Sequence, residues 1–176
     1  MLVLGIDPGL SRCGYGVIEQ AGRTPQALAA GIISTNKSNS VAHRLHQLQG
    51  ELAELMQEYR PTVVAIEQVL FQVNVRTAMG VGQASGIAMA TAIQAGAEVF
   101  EYTPTQIKKA VSGWGAADKA QMSKMVQTLL RLPKPLKPVD AADAMAAALC
   151  HLAQSPQTGL ALPRFPRQDS PSPTAP

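Results

Sequence analysis

The stretch TVVAIEQV, residues 62–69, constrains this chain more than any other. Four consecutive apolar residues leave no side for water, so a strand here has both faces covered, as in the parallel sheets of α/β folds. Yet the run delivers a carboxylate, Glu67. The N-terminus repeats the pattern: Leu2-Val3-Leu4-Gly5-Ile6 ends in Asp7 and turns at once through Pro8-Gly9. Asp7 could cap the turn, and an exposed edge could solvate Glu67. The alternative is that each is offered to something positive at the end of a buried strand.

The remaining elements follow from periodicity. Residues 2–6, 15–19 and 27–34 are β-rich runs that predict a meander. From Ser40 the apolar positions Leu45, Leu48, Leu52, Leu55 and Met56 recur at helical spacing, and Pro61 ends that helix. Residues 74–95 read as a long helix of small residues containing Gly80, Gly82 and Gly86. The run AEVFEY (97–102) is a further strand, and a helix starts near Pro104. Met122, Met125, Val126, Leu129 and Leu130 stripe another helix, which LPKPLKP (132–138) breaks, and an Ala-rich helix covers 139–153. The order β-β-β-α-β-α-β-α-α-α predicts an α/β fold with a mixed five-stranded sheet and helices on both faces. Ligands in such sheets bind where the strand order reverses.

A chain of 176 residues, 46% hydrophobic, suits one folded domain, placed at 1–154. The tail from 155 carries six prolines and few core formers and is expected to be disordered. Two cysteines, Cys13 and Cys150, are too few for a disulfide framework and are expected as reduced thiols. With no signal peptide and no long apolar run, the expectation is a soluble, cytoplasmic protein without a membrane partner.

Charge is unevenly distributed. Residues 108–137 hold seven basic residues (Lys108, Lys109, Lys119, Lys124, Arg131, Lys134, Lys137) against one acid, Asp118. That is +6 in a chain whose formal net charge is +3. Such a segment attracts a polyanion such as nucleic acid, or is simply a solvated basic face.

Two further acids, Asp140 and Asp143 in VDAADAMAAAL, are spaced to share a helical face. Asp140, following Pro138-Val139, also reads as an N-cap. Taken together, Asp7, Glu67, Asp140 and Asp143 are more demanding than any one of them, because buried like charges need cations or protons to neutralise them. With no Cys/His cluster to compete, an all-oxygen site favours hard ions such as Mg²⁺ or Mn²⁺. Two such cations about 3.5–4 Å apart can activate a water and cleave a phosphodiester in line, while lysines hold the backbone. His151 lies too far along its helix to join that site and reads as a surface or packing histidine. His43 and His46 read as helix-surface residues.

The segments GIDPG with GYGV, AIEQV, GQASG, FEYTPTQIKKAV, DKAQM and DAADAMAAAL, in this order between residues 2 and 151, resemble the RuvC family of bacterial Holliday-junction resolvases, within the ribonuclease H-like superfamily. The resemblance implies that Asp7, Glu67, Asp140 and Asp143 are the metal-binding catalytic acids, with two Mg²⁺ per active site and Mn²⁺ as a substitute. It implies that Lys119 is catalytic and that Lys108 and Lys119 contact DNA. Lys124 is expected on flanking phosphates. It further implies a homodimer that nicks two opposed strands of a four-way DNA junction symmetrically, leaving 5′-phosphates, in cooperation with the RuvA–RuvB branch-migration complex. Relatives carry an aromatic three residues after the strand glutamate; here that position is Leu70, and Phe71, on the strand face of Glu67, is assigned the contact with junction bases. Trp114 either stacks on a base or covers the core. Ser85 stands where relatives can carry Arg. Gly82 and Gly86 allow close approach, either of helix to sheet or, by the resemblance, of one subunit to another.

Three other readings compete. An actin-like ATPase needs two such domains. A non-catalytic junction-binding protein would tolerate loss of an acid, yet all four are present. Another ribonuclease H-like nuclease, cutting RNA–DNA hybrids or other branched DNA, is the nearest alternative.

Overall fold

A computed structural model describes residues 1–22, 24–68 and 75–155, and side chains of the helix beginning at Val75 from residue 78 onward. Leu70, Phe71 and the tail from 156 lie outside the described residues. Strands β1 (Leu2–Asp7), β2 (Arg12–Ala21) and β3 (Thr24–Ser34) form the expected antiparallel meander. Helix α1 (Val41–Tyr59) leads into β4 (Val63–Glu67), and α2 (Val75–Gln94) into β5 (Glu98–Tyr102). The sheet order is β3-β2-β1-β4-β5, with β1, β4 and β5 parallel. Three helices follow: α3 (Pro104–Ser112), α4 (Lys119–Leu129) and α5 (Val139–Gln154).

Both sheet faces are covered, as the apolar run at Val63–Ile66 demands. On one face Leu4, Ile6, Val64 and Ile66 pack with Leu48, Leu52 and Met56 of α1 and Ala84, Ala88 and Ala92 of α2. On the other, Val3, Val63 and Ala65 pack with Ile107, Val111, Met122, Val126, Met145 and Leu149 of α3, α4 and α5. Strand alternation then decides where the acids point. Asp7 shares the face of Val3, and Glu67 the face of Val63 and Ala65, so both look toward α3–α5.

Helix α5 lies close against β1 and β2 because glycines admit it. A side-chain carbon at Gly5 would lie 1.9 Å from the Ala144 carbonyl oxygen, and one at Gly14 would lie 2.1 Å from that of Asp140. The Ala-rich sequence of α5 supplies the matching small surface, with Ala141, Ala144, Ala147 and Ala148 buried.

Several open alternatives resolve here. His151 is a packing residue: it is 5% exposed, its Nδ1 lies 2.8 Å from the Tyr102 hydroxyl, and its ring rests 4.7 Å from that of Phe100. Burial holds its pKa below the usual imidazole range. His43 and His46 are exposed on α1. Gly82 and Gly86 do not pack on the sheet; both are exposed, with open space where a side chain would stand. The sheet-facing side of α2 is instead Ala84, Ser85, Ala88 and Ala92, all buried. No helix among the described residues is long and apolar enough to cross a membrane.

Candidate active site

Strands β1 and β4 are parallel neighbours, with Ile6 opposite Ile66, so they end together and bring Asp7 and Glu67 side by side. Since β1 is the central strand and β4 lies between β1 and β5, neither acid meets solvent at a sheet edge. On the strand's other side, Asp7 is the register partner of Gly14, over which the first turn of α5 rests. The sheet ends here at the junction between antiparallel and parallel pairing, where the strand order reverses.

Asp7 and Glu67 open into a cleft of about 320 Å³ lined also by Lys108, Lys119, Met122 and Asp143. The local sequence sets the lysines. A capping box at Thr103 and Gln106, with Pro104 as the first helical residue, starts α3, whose second turn carries Lys108. A second box, in which the Asp118 side chain accepts from the Gln121 amide, starts α4. Lys119 is thus the first residue of α4, and its Nζ lies 3.8 Å from Asp143 Oδ2. A cation at a helix N-terminus opposes the helix dipole, so its position is not explained by helix stability.

The electrostatics of the cleft are strained toward negative charge. Burial, reinforced by the charges of Glu67, Asp143 and Asp140, pushes the Asp7 carboxyl up to about 8, against a smaller opposing pull from Lys119. Burial and then Asp143 push Glu67 up to about 7, with Lys119 and Lys108 opposing. Burial raises Asp143 also, Lys119 opposing it. A set of desolvated carboxylates at neutral pH either retains protons or takes up cations.

Asp140 stands apart. It is not the N-cap of α5: Pro138 takes that place, and Asp140 lies in the first turn. Its Oδ2 accepts from an Arg12 guanidinium nitrogen at 2.6 Å, outside the cleft that holds the other three acids. Sequence reasoning missed Arg12; the only signal available was an arginine two residues from Gly14. Among the described residues, no three His, Cys, Asp or Glu side chains converge into a closed metal cage. With Asp140 on Arg12 and Asp143 near Lys119, two of the four acids are engaged by protein cations. The donor chemistry of the cleft, the three carboxylates of Asp7, Glu67 and Asp143 along its lining, still suits hard divalent cations.

Not every expected residue reaches this cleft. Lys124 is exposed on α4 and does not line it. Phe71 lies outside the described residues. Trp114, 57% exposed, does not cover the core, which leaves its ring available for stacking.

The family model for the crossover junction endodeoxyribonuclease RuvC matches residues 3–151. The chain belongs to the RuvC family. A RuvC from Salinispora arenicola, named as a crossover junction endodeoxyribonuclease, is 50% identical over 153 residues, spanning 86% of this chain and 87% of that one. The Thermus thermophilus RuvC structure superposes with a TM-score of 0.81 at 33% identity, covering 87% of this chain and 94% of that one. The same protein solved in complex with a Holliday junction substrate gives 0.79 at 30% identity over the same shares. Like these relatives, the chain is a ribonuclease H-like endodeoxyribonuclease of a metal-dependent family.

Proposed function

We propose that this chain resolves Holliday junctions by metal-dependent hydrolysis, with Asp7, Glu67, Asp140 and Asp143 holding Mg²⁺, two ions per site, and Mn²⁺ able to replace it. The observation that carries the proposal is the pairing of Asp7 and Glu67 at the ends of adjacent parallel strands, in one cleft with Asp143, Lys108 and Lys119. The Thermus relative binds a Holliday junction, and a four-way junction is the substrate proposed here. Bound divalent cations supply activation of water and stabilisation of the leaving oxygen.

The chain's own residues do the rest. The half-buried acids bind and orient the ions, because cations relieve the repulsion among their partly desolvated charges. Lys119 sits where it can approach the reacting phosphate and offset its developing charge. Lys108 holds the strand beside it, and Lys124, outside the cleft, contacts flanking phosphates. Phe71 and Trp114 are assigned to junction bases. The decisive experiment compares nicking of a synthetic four-way junction, a duplex and an RNA–DNA hybrid, with Mg²⁺ and with chelator. Nicking confined to the junction and to added Mg²⁺ is expected. Equal cutting of the hybrid would favour the general ribonuclease H-like reading instead.

We infer that the working unit is a homodimer, placing two such sites on opposed strands for symmetric nicks that leave 5′-phosphates. Helix α2 supports this. Met79, Gly82, Gly86 and Ile93 fall within one narrow face; Met79 and Ile93 are 61% and 63% exposed, and nothing stands within 4 Å of a side chain added at either glycine. Gly82→Leu is expected to weaken self-association at least about tenfold by sedimentation. Helix content by circular dichroism should not fall, since leucine is the better helix former by about 1 kcal/mol. Unchanged dimer affinity would move the interface elsewhere. Cooperation with RuvA–RuvB and a cytoplasmic location belong to the same proposal.

A further inference from the structure

Asp140 is separated from the other acids by its side chain, not by its backbone. Asp7 pairs with Gly14 across the strands. A side-chain carbon at Gly14 would lie 3.2 Å from the Asp140 Cβ, so the start of α5 rests on β2 only one strand from Asp7. Asp140 and Asp7 also feel one another, since the charge of Asp140 helps to raise the Asp7 carboxyl. What turns Asp140 away is Arg12. Arg12 and Gly14 are two apart on β2 and share a face, which sets the guanidinium beside the carboxylate at 2.6 Å.

The pair stands at a margin where a ligand can reach it. The two side chains are 51% and 33% exposed, and they line a second, open hollow together with Lys137, Pro138 and Val139. The first turn of α5 divides the two hollows, with Asp143 facing the catalytic cleft and Asp140 facing the other. Positive charge therefore flanks the carboxylates on both sides: Lys108 and Lys119 in one hollow, Arg12 and Lys137 in the other. A backbone crossing the site would place a phosphate in each.

We propose that Arg12 is a positioning residue. It holds Asp140 out of the catalytic cleft until a backbone phosphate of the DNA, entering the hollow between Arg12 and Lys137, takes over the guanidinium and frees the carboxylate to complete the divalent-cation site. The inference rests on the metal-dependent nuclease reading above. Its chemistry is an exchange of anions. Arginine's donor fork suits phosphate as well as carboxylate, and the released Asp140 gains the cation in place of Arg12. It follows that DNA and cation bind cooperatively, each raising the other's affinity by the same factor. Without DNA, the site stays short of one ligand.

Ca²⁺ binding to the full chain, measured by calorimetry with and without a synthetic four-way junction, tests this. The proteins compared are wild type, Arg12→Gln, Asp140→Asn and the double variant. Without DNA, Arg12→Gln is expected to bind Ca²⁺ about three- to fivefold tighter than wild type, the scale of losing one exposed ion pair. The junction should tighten Ca²⁺ binding by a similar factor in wild type and by little in Arg12→Gln. In the Asp140→Asn background the Arg12 substitution should change nothing, and the cycle isolates that coupling. Arg12→Gln binding Ca²⁺ no tighter than wild type would overturn the proposal. So would equal tightening with Asp140→Asn, which would make the effect one of net charge alone. Arg12→Lys, which keeps charge and a single donor group, should fall between and stands in if the glutamine variant folds poorly. Asp7→Asn separates the two levels of inference. If it leaves Ca²⁺ affinity untouched, the cation site itself is misassigned; if it removes binding while Arg12→Gln has no effect, only the role of Arg12 fails.

Discussion

Single-turnover cleavage of a four-way junction by Asp7→Asn is expected to be at least about a thousandfold slower than by wild type, a loss of about 4 kcal/mol of transition-state stabilisation. The substitution keeps the shape of the side chain but removes a hard anionic ligand at the end of β1. It leaves Lys108, Lys119, Arg12 and Lys137 in place, so junction affinity should stay within about threefold, because phosphate contacts dominate binding. Glu67→Gln and Asp143→Asn, which open into the same cleft, should behave alike. Asp140→Asn should also cut slowly, since the proposed site is complete only when Asp140 joins it. A variant that cleaves within about tenfold of wild type at saturating protein would remove its residue from the site. Parallel loss of junction binding would instead mean that the substitution damages the fold.

That four acids could be picked out before any coordinates reflects local physics. A carboxylate at the end of an apolar strand is costly to bury and therefore conspicuous in sequence. Asp7 and Glu67 each announce themselves in this way, and strand alternation alone puts them on the face of α3–α5. The spacing of Asp140 and Asp143 is equally local. The fold was legible for a related reason: the run at Val63–Ile66 requires cover on both faces, and α1 and α2 on one side with α3–α5 on the other provide it.

What could not be read depended on distant partners. Nothing near Asp140 foretells that it bonds to Arg12, 128 residues away, rather than capping α5. Cβ-free Gly5 and Gly14 admit α5 to the sheet, yet in sequence they resemble any other strand glycine. His151 could be surface or core on its helical pattern. Only the neighbouring strand, with Tyr102 and Phe100, makes it core. The orientation of Gly82 and Gly86 was undetermined for the same reason, because a helix made of small residues has two faces that look alike until the sheet chooses one.

The metal-free protein should show the cost of the site as a dependence of stability on pH. Asp7 holds its proton up to about 8 when folded but ionises with a pKa of about 3.9 when unfolded. Between these values the native state binds a proton that the unfolded state has lost, so stability falls as pH rises across that window. Glu67, pushed up to about 7, acts in the same direction. Below both windows the penalty vanishes. Asp7→Asn, which mimics the protonated acid, should therefore melt close to wild type at pH 3.5, below the window. It should melt higher at pH 8.5 in chelator, by about 5–10 °C if 2–3 kcal/mol is recovered in a chain of this size. Saturating Mg²⁺ or Mn²⁺ should reverse the order, because a ligand that binds only the native site stabilises wild type and not the variant. Differential scanning calorimetry at the two pH values, with and without metal, reads all four conditions. If Asp7→Asn melts below wild type at pH 8.5 in chelator, the Asp7 carboxyl is not under the repulsion and burial described here. A melting temperature of wild type that ignores Mg²⁺ and Mn²⁺ would count against the carboxylates as their binding site.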